Sequence, residues 1–176
     1  MELNADIGFL NIVENGFDAG VRLGESVEKD MVAVRIGPDW RLVAVAAPSY
    51  FAARPRPTHP RELVAHNCMN LRQKSSGGLY QWEFSKRGQE LRVKVSGQLT
   101  FSNTQSMLAP ALAGYGIAYL PEDAVARHVR AGELEIVLGD WSPPFDGYFL
   151  YYPRQRQSLP AFQVIVNALR HRATPA

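Results

Sequence analysis

The side chains best suited to chemistry are four histidines (His59, His66, His128, His171), one cysteine (Cys68) and the carboxylate pair Glu122 and Asp123. No pair of histidines stands at metal-ligand spacing with a second histidine or cysteine, so no metal site is expected. Neither a Gly-x-Ser-x-Gly elbow nor a phosphate-binding loop is present. Cys68 lies in the apolar run Cys68-Met69-Asn70-Leu71, which suits a buried, inert thiol better than a nucleophile. Glu122 and Asp123 follow Pro121 at an expected helix start, where the helix dipole alone accounts for them. Trp40, Trp82 and Trp141 have no regular spacing, and Tyr148 to Tyr152 reads as a core strand rather than a stacking platform. Enzymatic activity therefore has no positive support, and no cofactor is expected.

The elements that would position a ligand alternate between short strands and helices, the pattern of an α/β sheet with crossover helices. Strands are expected at 17–23, 31–36, 42–47, 68–71, 99–101, 116–121, 134–138 and 148–152. The stretch 42–47 is apolar on both sides, as in a strand covered on both faces. Runs at 80–84 and 91–95 flank Lys86-Arg87-Gly88 as a hairpin. Helices are expected at 6–14, ended by Gly16, and at 49–54. Others run from a Thr58 cap through Val64, from an Asn103 cap through Leu112, from Pro121 through Val129, and over 159–172. Pro110 predicts a kink or a late start, because a mid-helix proline costs up to about 3 kcal/mol. The last helix presents Leu159, Phe162, Ile165, Val166 and Leu169 on one side. Residues 73–78, rich in Ser and Gly, make the best linker.

Composition narrows the partners. With 176 residues and 46% hydrophobic content, the chain can bury one core or two small ones. A net charge of +2, with basic residues spread along the chain, leaves no stripe suited to phosphate backbones. No apolar run reaches the ~18–20 residues of a membrane span. The first residues carry neither a basic nor an apolar leader, and a single cysteine fits a reducing compartment, so a cytoplasmic protein is expected.

Five blocks carry a more specific message. Phe17-Asp18-Ala19-Gly20-Val21-Arg22-Leu23-Gly24-Glu25 resembles a D-[VA]-[AG]-[IV]-R-x-G stretch. Leu42 to Ala47 with Pro48-Ser49-Tyr50-Phe51 resembles L-V-x-x-A-[SA]-P-x-Y-L, and Pro60-Arg61-Glu62-Leu63 with His66-Asn67-Cys68 resembles P-x-D-L-x-x-H-x-C. Ala111 to Pro121 is similar to A-x-x-G-x-G-I-A-x-L-P, and Trp141-Ser142-Pro143-Pro144 with Leu150-Tyr151-Tyr152-Pro153 completes the set. In order and spacing, these blocks resemble the effector-binding domain of LysR-type transcriptional regulators.

The resemblance implies a periplasmic-binding-protein-like (type II) α/β fold: two lobes joined by two crossing strands, with a small-molecule cleft between them. On that model lobe I is 1–72 plus 145–176 and lobe II is 73–144, with the Ser/Gly-rich stretch at the first crossing. The family's winged helix-turn-helix, which reads DNA, has no counterpart here, and the first strand and helix of lobe I are expected to be missing. A homodimer or higher oligomer is implied, with DNA contacted only through the absent part and no membrane involved.

Ligands in open α/β sheets bind beyond the carboxyl ends of strands. That rule selects Arg22 and Gly24, then Ala47 and Ser49, then Arg72, then Ser102, Asn103 and Thr104, and finally Gly147. An arginine and a free helix start would suit an anionic effector. Each has a plainer role available: an ion pair for Arg22, a helix cap for Asn103 and for Ser49. A stand-alone solute-binding protein is the alternative function, and a small α/β enzyme a more distant one.

Overall fold

A computed structural model of the chain describes residues 2–4, 12–24, 30–73 and 77–172. Its strands are β1 (Gly20–Leu23), β2 (Met31–Arg35), β3 (Leu42–Ala46), β4 (Asn70–Leu71), β5 (Trp82–Lys86), β6 (Gln89–Val93), β7 (Thr100–Phe101), β8 (Ala118–Pro121), β9 (Glu135–Val137) and β10 (Tyr148–Pro153). The α-helices are α1 (Pro48–Phe51), α2 (Leu108–Leu112), α3 (Glu122–Arg130) and α4 (Pro160–Leu169). Among the described residues, no helix is long and apolar enough to cross a membrane.

The chain falls into two compact units, Met1–Trp40 with Phe145–Ala176, and Arg41–Pro144. β3 belongs to the second unit, where it pairs with β8 and β9. Positions 74–76 of the Ser/Gly-rich stretch lie outside the described residues. Arg72 donates from Nη1 to the Gly77 carbonyl at 2.8 Å, and the Gln73 amide donates to that of Gly78 at 2.9 Å.

In the first unit, β10 lies between β1 and β2 and is antiparallel to both. Alternation along β10 sends Leu150 and Tyr152 inward, where with Val34 and Val166 they form the buried core. The Phe162 ring of α4 packs edge-on against Tyr152 at 4.8 Å. Of the apolar side expected on the last helix, Val166 is fully buried and Phe162 packs on the core, whereas Ile165 and Leu169 remain exposed. The helix expected at 6–14 lies largely outside the described residues. In the described turn at 12–16, Gly16 is left-handed, its amide donates to the Val13 carbonyl, and the Phe17 amide donates to the Ile12 carbonyl, the paired bonds of a Schellman turn.

In the second unit, β3 runs between β8 and β9, antiparallel to each. Val43, Ala44, Val45 and Ala46 are all fully buried, as the two-sided apolar run predicts. Burying each valine stabilises by roughly 1.5–3 kcal/mol. One face packs with Cys68, Trp82, Phe84, Ile117 and Tyr119, the other with Met69, Met107, Leu120, Val125 and Leu134. The short parallel pair β4–β7 extends this layer through the Cys68–Ile117 bridge.

The expected hairpin forms as β5–β6, with Lys86 opposite Gln89. Its two-residue turn, Arg87-Gly88, has positive φ at both positions (50° and 80°), the type I′ geometry that matches strand twist. Pro110 is accommodated by the late helix start: Gln105–Met107 is a 3-10 turn, and α2 begins only at Leu108. The turn Pro60–Ala65 is also a 3-10 helix, capped by His59 Nδ1, which accepts from the Arg61 amide, rather than by Thr58. Thr58 instead gives its amide and hydroxyl to Glu62 and holds that carboxyl below its usual pKa.

Candidate functional site

Strand direction decides which candidate residues meet. In the first unit β1 and β2 end where β10 begins, and this is the end at which the chain departs for the second unit. Arg22 pairs with Phe149 and Leu23 with Tyr148, while the Gly24 amide donates to the Gly147 carbonyl at 3.1 Å. Arg22, Gly24 and Gly147 are thus brought together. The same end is clamped by reciprocal backbone bonds between Trp40 and Phe145 (2.8 and 2.9 Å), whose rings meet edge-on at 5.2 Å.

Each of these three residues has a local reason for its type. Gly24 has φ 76°, a left-handed turn that a side chain would strain. A Cβ on Gly147 would lie 1.8 Å from the Pro38 carbonyl oxygen, so only glycine allows that approach. Arg22 lays its guanidinium over the Tyr151 ring, 4.4 Å from the centroid, and leans back from the strand end.

In the second unit β4 and β7 are parallel and end together. The Arg72 amide donates to the Phe101 carbonyl at 2.8 Å, which sets Arg72 beside Ser102, Asn103 and Thr104. Because Leu42 pairs with Pro121 and the Glu122 amide donates to the Arg41 carbonyl, this is also the end at which the chain enters the unit. A paired Arg41–Glu122 salt bridge fixes the entry, raising the pKa of the arginine and lowering that of the carboxyl.

Ala47 and Ser49 do not join the others. β3 is antiparallel to its neighbours, so its carboxyl end falls at the opposite edge of the layer, about five residues or ~16 Å along the strand direction. The carboxyl-end rule assumes a parallel strand, and β3 is not one. Ala47 is buried and occupies the cap position of α1, so Ser49 is not the cap there. The Ser49 hydroxyl lies against Gly114 instead, where a Cβ would meet it at 2.6 Å.

Asn103 stands one residue before the cap position, Thr104, and its Oδ1 accepts from the Ser106 amide at 2.9 Å. The helix it opens is a three-residue 3-10 turn followed by the five residues of α2, too short to present the anion-attracting dipole the sequence suggested. Anion attraction at this end therefore rests on Arg72, which is exposed and lines an open depression of about 440 Å³ with Gly78, Leu79, Gln81 and Lys94. Gln81 and Lys94 were not singled out in the sequence, where nothing distinguishes them from ordinary surface residues.

The groups suited to chemistry take structural roles. Burial pushes the Cys68 thiol up to about 12, which keeps it protonated and unreactive. His66 is buried beside Tyr50, its Nδ1 3.2 Å from the phenol oxygen, and burial lowers its pKa. His128 bonds Glu133 through Nδ1 at 2.6 Å. Among the described residues no three His, Cys, Asp or Glu side chains gather as metal ligands.

A family model for the LysR substrate binding domain matches residues 1–174. The chain belongs to the LysR substrate-binding domain family. It is 52% identical over 171 residues to a putative transcriptional regulator of Pseudomonas aeruginosa, covering 97% of this chain and 56% of that protein. It is 38% identical to the HTH-type transcriptional regulator PgrR of Escherichia coli, covering 98% and 58%. This LysR-family chain thus spans little more than half the length of these relatives. Among solved structures, the regulatory domain of AphB from Vibrio vulnificus aligns with a TM-score of 0.77 at 22% identity, covering 95% of this chain and 81% of that one. The CrgA regulatory domain of Neisseria meningitidis aligns at 0.74 and 24%, covering 93% and 79%. The fold is the type II periplasmic-binding-protein-like α/β fold expected from the sequence blocks.

Proposed function

We propose that this chain is the ligand-sensing module of a LysR-type transcription regulator, which takes a small-molecule effector in a cleft between its two lobes and does not alter it. The two compact units stand for the lobes. The observation that carries the reading is topological. Within each unit, most candidate residues collect at the one end through which the chain crosses: Arg22, Gly24 and Gly147 in one, Arg72 and Ser102 to Thr104 in the other. An effector held by both ends shifts the balance of lobe arrangements by its differential affinity for them. A winged helix-turn-helix outside this chain converts that shift into a change at DNA, in a cytoplasmic homodimer or higher oligomer. The effector is anionic, matching Arg22 and Arg72.

Calorimetry on an effector found by thermal-shift screening tests the placement. Arg22→Ala and Arg72→Ala are each expected to weaken binding about tenfold or more, since a charge-assisted bond contributes about 1.5–3 kcal/mol. Ser49→Ala, at the far edge, is expected to leave affinity unchanged. Unchanged affinity in both of the first two variants refutes the placement.

A further inference from the structure

Arg72 is held by its neighbours in a way that leaves one edge of its side chain open. The residue pairs with Leu79, and the carbonyls just before Leu79 are filled. That of Gly78 accepts from the Gln73 amide at 2.9 Å, and that of Gly77 from Arg72 Nη1 at 2.8 Å. The bond to Gly77 leaves the Nε–Nη2 edge, the planar fork that a carboxylate accepts with two parallel bonds. Among the described residues no acidic side chain pairs with Arg72.

Lys94 reaches the same depression from the hairpin. Carrying the β5–β6 register one step past Trp82–Val93 sets Lys94 opposite Gln81. Trp82 and Val93 pack in the core, so alternation turns Gln81 and Lys94 to the outer face, with the Glu83–Arg92 pair next along it. Glu83 is the first carboxylate on that face, and both of its oxygens are engaged, one with Arg92 Nε at 3.2 Å and the other with the Tyr80 hydroxyl at 3.3 Å. Lys94 is exposed and makes no hydrogen bond or ion pair among the described residues.

With Gly78 and Leu79, the side chains of Arg72, Gln81 and Lys94 line the open depression of about 440 Å³. The lining holds two cations, a neutral amide and no carboxylate. A ligand with one acid group leaves one of those charges unmatched; a ligand with two matches both. We propose that this depression is a dicarboxylate subsite of the effector site, in which Arg72 takes one acid group through its open edge and Lys94 takes the second as a point charge. This rests on the effector-binding reading above and adds to it the number of acid groups on the ligand.

The test titrates the 176-residue protein with the dicarboxylate series from malonate to pimelate, each beside its half-amide, which keeps the length and loses one charge. Low salt is used, because exposed charges are screened as ionic strength rises. Melting temperature and calorimetric affinity are read in wild type, Arg72→Ala, Lys94→Gln and Lys94→Arg. At least one dicarboxylate is expected to bind about tenfold or more tightly than its half-amide in wild type. Lys94→Gln is expected to erase that preference and Lys94→Arg to keep it, while Arg72→Ala weakens both members. A preference that survives Lys94→Gln, or a series in which no member raises the melting temperature, overturns the proposal. If another effector binds and is lost in Arg22→Ala but not in Lys94→Gln, the subsite fails and the sensor reading stands. If a dicarboxylate is lost in Lys94→Gln but not in Arg22→Ala, the subsite stands and the grip by both ends fails.

Discussion

Asn67 ties three segments of the second unit together, and its removal has a size that can be worked out. Its backbone amide donates to the Tyr50 hydroxyl at 3.0 Å, a bond that no side-chain substitution touches. Its Oδ1 accepts from the Gln98 amide at 2.9 Å, and its Nδ2 donates to the Tyr115 carbonyl. Asn67→Ala loses the last two, each contributing about 1 kcal/mol net. Gln98 and Tyr115 belong to exposed residues, so water reaches the groups set free and no full burial penalty follows. The expected loss is about 2 kcal/mol. Asn67→Asp keeps the acceptor and loses the donor, so about 1 kcal/mol is expected. Trp82 and Trp141, both buried in this unit, report its unfolding by fluorescence. With a urea slope of roughly 2 kcal/mol/M, the midpoint should fall by about 1 M for alanine and about half that for aspartate. Equal shifts for both variants, or no shift for alanine, refute the two-bond reasoning.

Two further expectations concern turns and protons. Gly88→Ala should cost about 1 kcal/mol in urea unfolding, because φ 80° strains a side chain although open space surrounds it; Arg87→Asn should be neutral or stabilising at φ 50°. His66 prefers its neutral form in the fold, so its folded pKa lies below the ordinary ~6.5. Its contribution is therefore present above about pH 6.5 and lost as pH falls through that value towards the folded pKa. The fall in urea midpoint from pH 7.5 to pH 5.5 should be smaller in His66→Gln than in wild type. An identical fall would mean that other groups carry it.

What the sequence made legible was local. Alternation and turn chemistry located the 80–95 hairpin, and two-sided apolarity located the buried strand at Leu42 to Ala46. Periodicity carries no sign, however: a fully buried strand reads the same whether its neighbours run parallel or against it. That ambiguity placed Ala47 and Ser49 with the other candidates. The capping residue of the 3-10 turn at Pro60 was equally hidden, since Thr58 and His59 both precede it and only geometry separates them.

Amide hydrogen exchange, with and without the first compound that raises the melting temperature in a metabolite screen, puts the central claim to its most direct trial. Protection should appear in two separate stretches of sequence, around Arg22 to Gly24 with Gly147 and around Arg72 with Ser102 to Thr104, while Ala47 to Ser49 stays unchanged. Protection confined to one unit, or centred on Ala47 to Ser49, would contradict an effector gripped by both crossing ends.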